Sequence, residues 1–353
     1  MFTKRETNIC KGVAIILMLF HHLFNDFEEY AGYEVSYWPF TADRIYFWAL
    51  LSKICVAFFV FLSGYGIAST FRREFGKGIP EGGKISQFIR KRYGKLMAAY
   101  WFAFILTLLC QPLGRTVFDA YGKDAKEILL YIVIDFWGMS YLFETPTLNP
   151  TWWYMSIALI VILLVPAVVC LMRRYGAIPT FFLGTLSIFF IKTLNSSTFY
   201  LFGMMLGVLC CEVNFFERLQ KAVSKNMQSR IGTGAMEIVC FAVLLSYRTN
   251  YSMWGIVDGL LALDLACMAQ TFLGKIPILS EVLQSLGKHS GNMFLMHNQI
   301  YSFYFLGFFY SFKNWALIVG VLTAATYVLS IGMEWLKKKL HYNRLMNKTG
   351  LIK

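Results

Sequence analysis

Charge is the first scarcity. Only 15% of the 353 residues are charged, against about 25% in an ordinary soluble domain. That excludes a soluble enzyme with charged helix faces. Acidic residues are the scarcer sign: 20 Asp and Glu stand against 33 Lys and Arg, a formal net charge of +13. The chain also lacks internal repeats and low-complexity tracts. Its eight cysteines (Cys10, Cys55, Cys110, Cys170, Cys210, Cys211, Cys240 and Cys267) form no C-x-x-C pair and lie in or beside apolar runs. Neither a zinc site nor a disulfide framework is indicated, so they read as small buried apolar residues, and no metal is expected.

What is abundant is apolar surface. Hydrophobic residues make up 57% of the chain, Phe alone occurs 33 times, and the mean hydropathy is +0.54. Disorder is therefore excluded. A membrane span needs roughly 20 apolar residues, so ten would use about 200 and leave only short loops. The expected fold is all-α, a polytopic transmembrane helical bundle of about ten spans. These are placed at 9–27, 46–70, 96–112, 151–171, 178–194, 198–213, 235–250, 251–272, 290–310 and 314–336. The split near Asn250 rests on a polar turn alone. The apolar segment 128–143 contains Asp135 and Gly138. It is too short to span comfortably and is expected to lie in the interface or re-enter. One integral-membrane domain over 1–340 and a basic cytoplasmic tail over 341–353 account for the chain.

The first run follows Lys4 and Arg5, as a signal peptide would. His21 and His22 interrupt it, however, and no small-residue cleavage site follows, so it reads as a retained span. With the N-terminus inside, 25 of the 33 Lys and Arg fall on inner segments, counting Lys11 at the start of the first span. This asymmetry places both termini in the cytoplasm. It also explains the net charge without nucleic acid. Trp38, Trp152, Trp153, Trp254 and Trp315 lie near span ends, where an aromatic belt belongs.

Polar side chains inside apolar runs cost about 2.5–3.5 kcal/mol each on insertion scales, so each needs a reason. In the first span Lys11 is followed ten and eleven residues later by His21 and His22. Eleven residues at 3.6 per turn return His22 almost to the face of Lys11, while His21 points about 100° away. A histidine at membrane depth can exchange a proton near neutral pH. It can equally be a hydrogen-bonded packing residue, and the residues alone leave both readings open. Arg90, Arg92 and Lys95 end a strongly basic inner loop. Arg92 and Lys95, three apart, share a helix face and can converge on an anion. A topology signal touching lipid headgroups is the alternative. His297 lies in the ninth span, and Lys53, Glu237, Asp258 and Asp264 lie in or near apolar runs. These can serve a site or pair with one another.

Five segments, in order, resemble the acyltransferase 3 family of integral-membrane enzymes. Lys11-Gly12 leads to His22 at the family's spacing. Phe58-Phe59-Val60-Phe61-Leu62-Ser63-Gly64-Tyr65 matches its second-span signature. Arg92-Tyr93-Gly94-Lys95 is followed by Ala98-Ala99-Tyr100-Trp101. Thr151-Trp152-Trp153-Tyr154-Met155-Ser156 corresponds to its Trp-containing span, and Leu286-Gly287-Lys288 leads to Met296-His297. Lys replaces Arg at 11 and 95, which keeps charge but loses the bidentate fork. Ile157-Ala158-Leu159 stands where an acidic residue often follows.

The resemblance implies a multi-pass enzyme of the bacterial cytoplasmic membrane. It would use cytosolic acyl-CoA, acetyl-CoA above all, as co-substrate, with no bound cofactor. The acceptor would be a hydroxyl of a cell-surface or lipid-linked carbohydrate. His22, with His21 as fallback, is expected to be the catalytic base or acyl carrier. Arg90, Arg92, Lys95 and Lys11 are expected to hold the donor, and Lys53, Trp153 and His297 to line the site. The chain ends soon after its last span, so it is expected to act alone or with a separate extracytoplasmic transfer protein. The rival reading is a transporter of a small solute or acyl group, with Lys53, Asp258 and Asp264 along its pathway.

Overall fold

The structure, a computed structural model, describes residues 2–111, 115–190, 198–224, 227–250 and 254–348. Among these the secondary structure is helical, without a strand. In chain order the helices are α1 (Lys4–Phe24), α2 (Ala42–Leu51), α3 (Cys55–Phe75), α4 (Gly82–Cys110), α5 (Val117–Tyr121), α6 (Ala125–Phe136), α7 (Trp153–Tyr175) and α8 (Ala177–Phe190). They continue as α9 (Thr198–Glu212), α10 (Phe215–Val223), α11 (Met227–Asn250), α12 (Trp254–Thr271), α13 (Pro277–Asn298), α14 (Leu306–Tyr310), α15 (Trp315–Lys339) and α16 (Tyr342–Lys348).

Seven stretches among the described residues are long and apolar enough to cross a membrane. They are Lys4–Phe24, Ala42–Phe75, Gly82–Cys110, Pro150–Tyr175, Met227–Asn250, Trp254–Lys275 and Trp315–Lys339. The pair Phe199–Glu212 and Phe215–Val223, bent by 65°, makes an eighth if counted as one. Two of the ten expected runs fall short. The run at 178–194 is a short apolar helix, Ala177–Ile188, and its end lies outside the described residues. The run at 290–310 is broken: α13 ends at Asn298 and a π-helical turn, Gln299–Tyr304, follows. The polar residues Lys288, His289, Ser290 and Asn292 of α13 keep its mean hydropathy low. The segment 128–143 forms the short α6 and the turn after it. Of the expected tail, only 341–348 is described, and it contains α16.

The chain divides into two compact units: Met1–Leu17, Lys53–Ile89 and Val161–Lys288 form the first, and Met18–Ser52, Arg90–Ile160 and His289–Lys353 the second. In the first unit small residues set the helix spacing. A Cβ on Gly64 would lie 2.6 Å from the Met204 carbonyl oxygen, so α3 and α9 touch backbone to backbone. A Cβ on Gly12 would collide with the Leu283 backbone of α13. Both glycines belong to the motifs noted above, and both are required by close helix approach. Three acidic groups of this unit are partnered: Asp258 with Arg248 at 2.5 Å, Glu212 with Arg173 at 3.1 Å, and one oxygen of Glu237 with the Thr271 hydroxyl at 2.8 Å. Val239 and Val243 of α11 are exposed, as lipid-facing residues should be.

The second unit has an aromatic and methionine-rich core of Tyr100, Trp101, Phe104, Trp152, Met155 and Met296. One buried carboxylate organises it. Asp135, at the end of α6, accepts hydrogen bonds from Tyr100 Oη (3.0 Å), Tyr121 Oη (2.7 Å), Ser140 Oγ (2.8 Å), Thr147 Oγ1 (3.0 Å) and the Leu148 backbone N–H (2.7 Å). A charge this buried is tolerable only because its lone pairs are so fully met.

Candidate active site

The end of α1 carries the two adjacent histidines. A helix leaves its last carbonyls without intrahelical partners. Here tyrosines supply them: Tyr301 Oη donates to the His22 carbonyl at 2.9 Å, and Tyr310 Oη to that of Leu23 at 2.6 Å. Tyr301 also reaches Glu29 at 3.3 Å, and Ser302 Oγ donates to the same carboxyl at 2.8 Å. Burial raises the Glu29 carboxyl above the ordinary carboxylate range, against the opposing pull of the Ser302 and Tyr301 hydroxyls. The turn after α1 and the π-helical turn are thereby stapled together. π-turns of this kind recur at functional sites.

Three imidazoles gather there. The His22 ring centroid lies 5.1 Å from that of His21 and 4.9 Å from that of His297. His21 Nδ1 is 2.8 Å from the Ala49 carbonyl oxygen. A carbonyl only accepts, so Nδ1 must carry the proton, and His21 is tied to α2. His297 Nδ1 is bound in the same way to the Phe294 carbonyl at 2.7 Å. Its ring is 0% exposed, and Nε2 has no hydrogen-bond partner among the described residues. In the neutral ring that Nε2 is a bare acceptor held in a fixed place.

The structure thus brings together His21, His22 and His297. Arg90, Arg92 and Lys95 all lie in the first half of α4; Arg90 and Lys95 are exposed and Arg92 is half-buried. Thr107, twelve residues beyond Lys95 on the same helix, reaches Met296 Sδ at 4.0 Å beside His297. The basic residues therefore stand about 18 Å (Lys95) to about 26 Å (Arg90) along α4 from the level of the histidines. Trp153 is half-buried, its ring 5.7 Å from that of Tyr141. Lys11 and Lys53 belong to the first unit, where Lys11 is half-buried and Lys53 exposed. Among the described residues no group of His, Cys, Asp and Glu is placed to hold a metal ion.

Sequence reasoning did not find Glu29, Tyr301, Asn149 or the role of Asp135. One signal was present: Asn149-Pro150-Thr151 is a helix-start pattern, and Asn149 does cap the 3₁₀ turn Pro150–Trp152.

Seven apolar helical stretches long enough to cross a membrane among the described residues define a polytopic membrane protein. Residues 5–335 match the acyltransferase domain that characterises the acyltransferase 3 family. The chain belongs to that family and is a membrane acyltransferase, moving groups other than aminoacyl groups. Nothing among curated proteins or solved structures matches the chain.

Proposed function

We propose that this acyltransferase carries an acyl group, acetyl by first expectation, from cytosolic acyl-CoA to a hydroxyl of a cell-surface or lipid-linked carbohydrate in the cytoplasmic membrane of a bacterium. The observation that carries the reading is the packing of His22 against the wholly buried His297 in a chain of this family. Arg90, Arg92 and Lys95 are the donor's phosphate contacts, with Lys11 adding positive charge on the cytosolic side. The interval along α4 between the basic cluster and the histidines suits an extended donor arm reaching from one to the other.

His22 then removes the acceptor's hydroxyl proton. The freed oxygen attacks the thioester carbon, the C–S bond breaks, and the departing sulfur takes up the proton from the imidazolium. An acyl ester and free thiol result. Were His22 the acyl carrier, the same bond exchange would occur twice, first at its ring nitrogen and then at the acceptor oxygen. Transfer is completed by this chain alone or with a separate extracytoplasmic protein.

The test supplies labelled acetyl-CoA to inside-out vesicles. Label fixed covalently to a glycan or lipid supports the reading. Counterflow of a small solute without covalent transfer overturns it in favour of a transporter.

A further inference from the structure

The buried amide of Asn149 points to a second element of the catalytic machinery. Its side chain is 0% exposed. Oδ1 accepts three hydrogen bonds: from the Thr151 backbone N–H at 3.1 Å, from Thr151 Oγ1 at 2.9 Å and from Asn298 Nδ2 at 3.2 Å. This crowd of donors fixes which end of the amide is oxygen. It also turns Nδ2, with its two N–H groups, away to where no acceptor among the described residues meets it. A buried donor left unmet costs roughly 1–3 kcal/mol. Capping does not explain the choice of residue, since capping uses Oδ1 alone and Asp, Ser or Thr would do it.

The surroundings hold this amide still. Asp135 binds the backbone N–H of Leu148, and Thr147 Oγ1 donates both to Asp135 and to the Asn149 carbonyl at 3.1 Å. Two bonds then tie this segment to the histidine segment of α13: Asn298 Nδ2 to Asn149 Oδ1, and Trp152 Nε1 to the Leu295 carbonyl at 2.9 Å. His297, between Leu295 and Asn298, carries the other unmet nitrogen. One fixed acceptor and one fixed donor, both buried and both without hydrogen-bond partners among the described residues, thus come from segments in direct contact.

We propose that Asn149 Nδ2 binds the acyl carbonyl oxygen and stabilises the oxyanion formed on it. This rests on the acyl-transfer reading above but not on the identity of the donor. The acceptor hydroxyl's oxygen bonds to the acyl carbon, its proton passes to the His22 imidazole, and the C=O π pair moves to the carbonyl oxygen. That oxyanion is what Nδ2 meets. When the pair returns, the bond to the donor sulfur breaks, and the sulfur leaves as a thiol with the proton from the imidazolium. An acyl-histidine route passes through the same oxyanion at each exchange, so the role of Nδ2 is common to both. Pre-placed donors of this kind are worth about 10²–10³ in rate.

The test uses the full chain in cells fed [14C]acetate, reading base-labile acyl label in the envelope above that of cells without the protein. Asn149→Asp keeps an acceptor oxygen for Thr151 and Asn298 but has no N–H. It is expected to melt like wild type and to lose at least about a hundredfold in label. Asn149→Ala, which adds no buried charge, serves if Asn149→Asp does not melt like wild type, and is expected to lose as much. Label within threefold of wild type in a folded variant overturns the proposal. So does full activity in Asn149→Asp beside loss in Asn149→Ala, because that pattern marks a cap and nothing more. If cells label normally while vesicles take nothing from acetyl-CoA, the donor reading fails and this test still stands.

Discussion

At the end of α1 two neighbouring imidazoles sit in different surroundings. His21 spends its Nδ1–H on the Ala49 carbonyl, whereas His22 faces His297. Removal of the His21 ring leaves a buried carbonyl unmet, a cost of about 1–3 kcal/mol. His21→Ala is therefore expected to lower the melting midpoint and to reduce acyl transfer only in proportion to folded protein. A specific loss in His21→Ala with normal melting would move the base from His22 to His21. Glu29 offers a pH test. Its folded carboxyl titrates above the unfolded one, so the native state holds the proton more tightly. The stability this contributes is present below the unfolded value, about 4.3, and is lost as pH rises through the folded one. Glu29→Gln removes that slope. Melting curves across mildly acidic pH should show wild type losing stability relative to the variant as pH rises. Parallel curves would contradict it. His22 and His297 were legible because histidine in an apolar run is conspicuous. Asn149 was not, because its chemistry depends on which of its two amide ends is already occupied, and only packing decides that.

Among the elements, α6 shows how a short helix earns its place. Its sequence reads as an interfacial segment interrupted by an acid, and the interruption proves to be the anchor. Asp135 gathers hydroxyls from α4, from α5 and from the turn that follows. Asp135→Ala would strand all of these donors in a buried core, a loss on the order of 4 kcal/mol. Thermal unfolding in detergent should show a clearly lowered midpoint, while an unchanged midpoint would refute the role given to this carboxylate. Apolar runs alone placed most helices, including the division between α11 and α12 on either side of Asn250. They misjudged α13, whose polar residues face protein: Asn292 Nδ2 binds Ser330 Oγ at 3.1 Å and Glu334 at 2.8 Å. They also could not tell why Gly12 and Gly64 are glycine, since helix-to-helix contact is not a local property.

For the whole molecule, the class of fold follows from hydropathy, and the bias of Lys and Arg supplies the expected orientation. The chemistry follows from family membership together with the histidine cluster. What joins these in the proposed function is a direction of flow, with an acyl group entering from the cytosolic side and passing by His22 to its acceptor. The measurement that tests this most directly supplies labelled acetyl-CoA to inside-out and right-side-out vesicles carrying wild type or His22→Ala. Acceptor labelling is expected only in inside-out vesicles with wild type, and His22→Ala should reduce it by about 10²–10⁴. Equal labelling from both vesicle orientations, or undiminished labelling in a folded His22→Ala protein, would contradict the account.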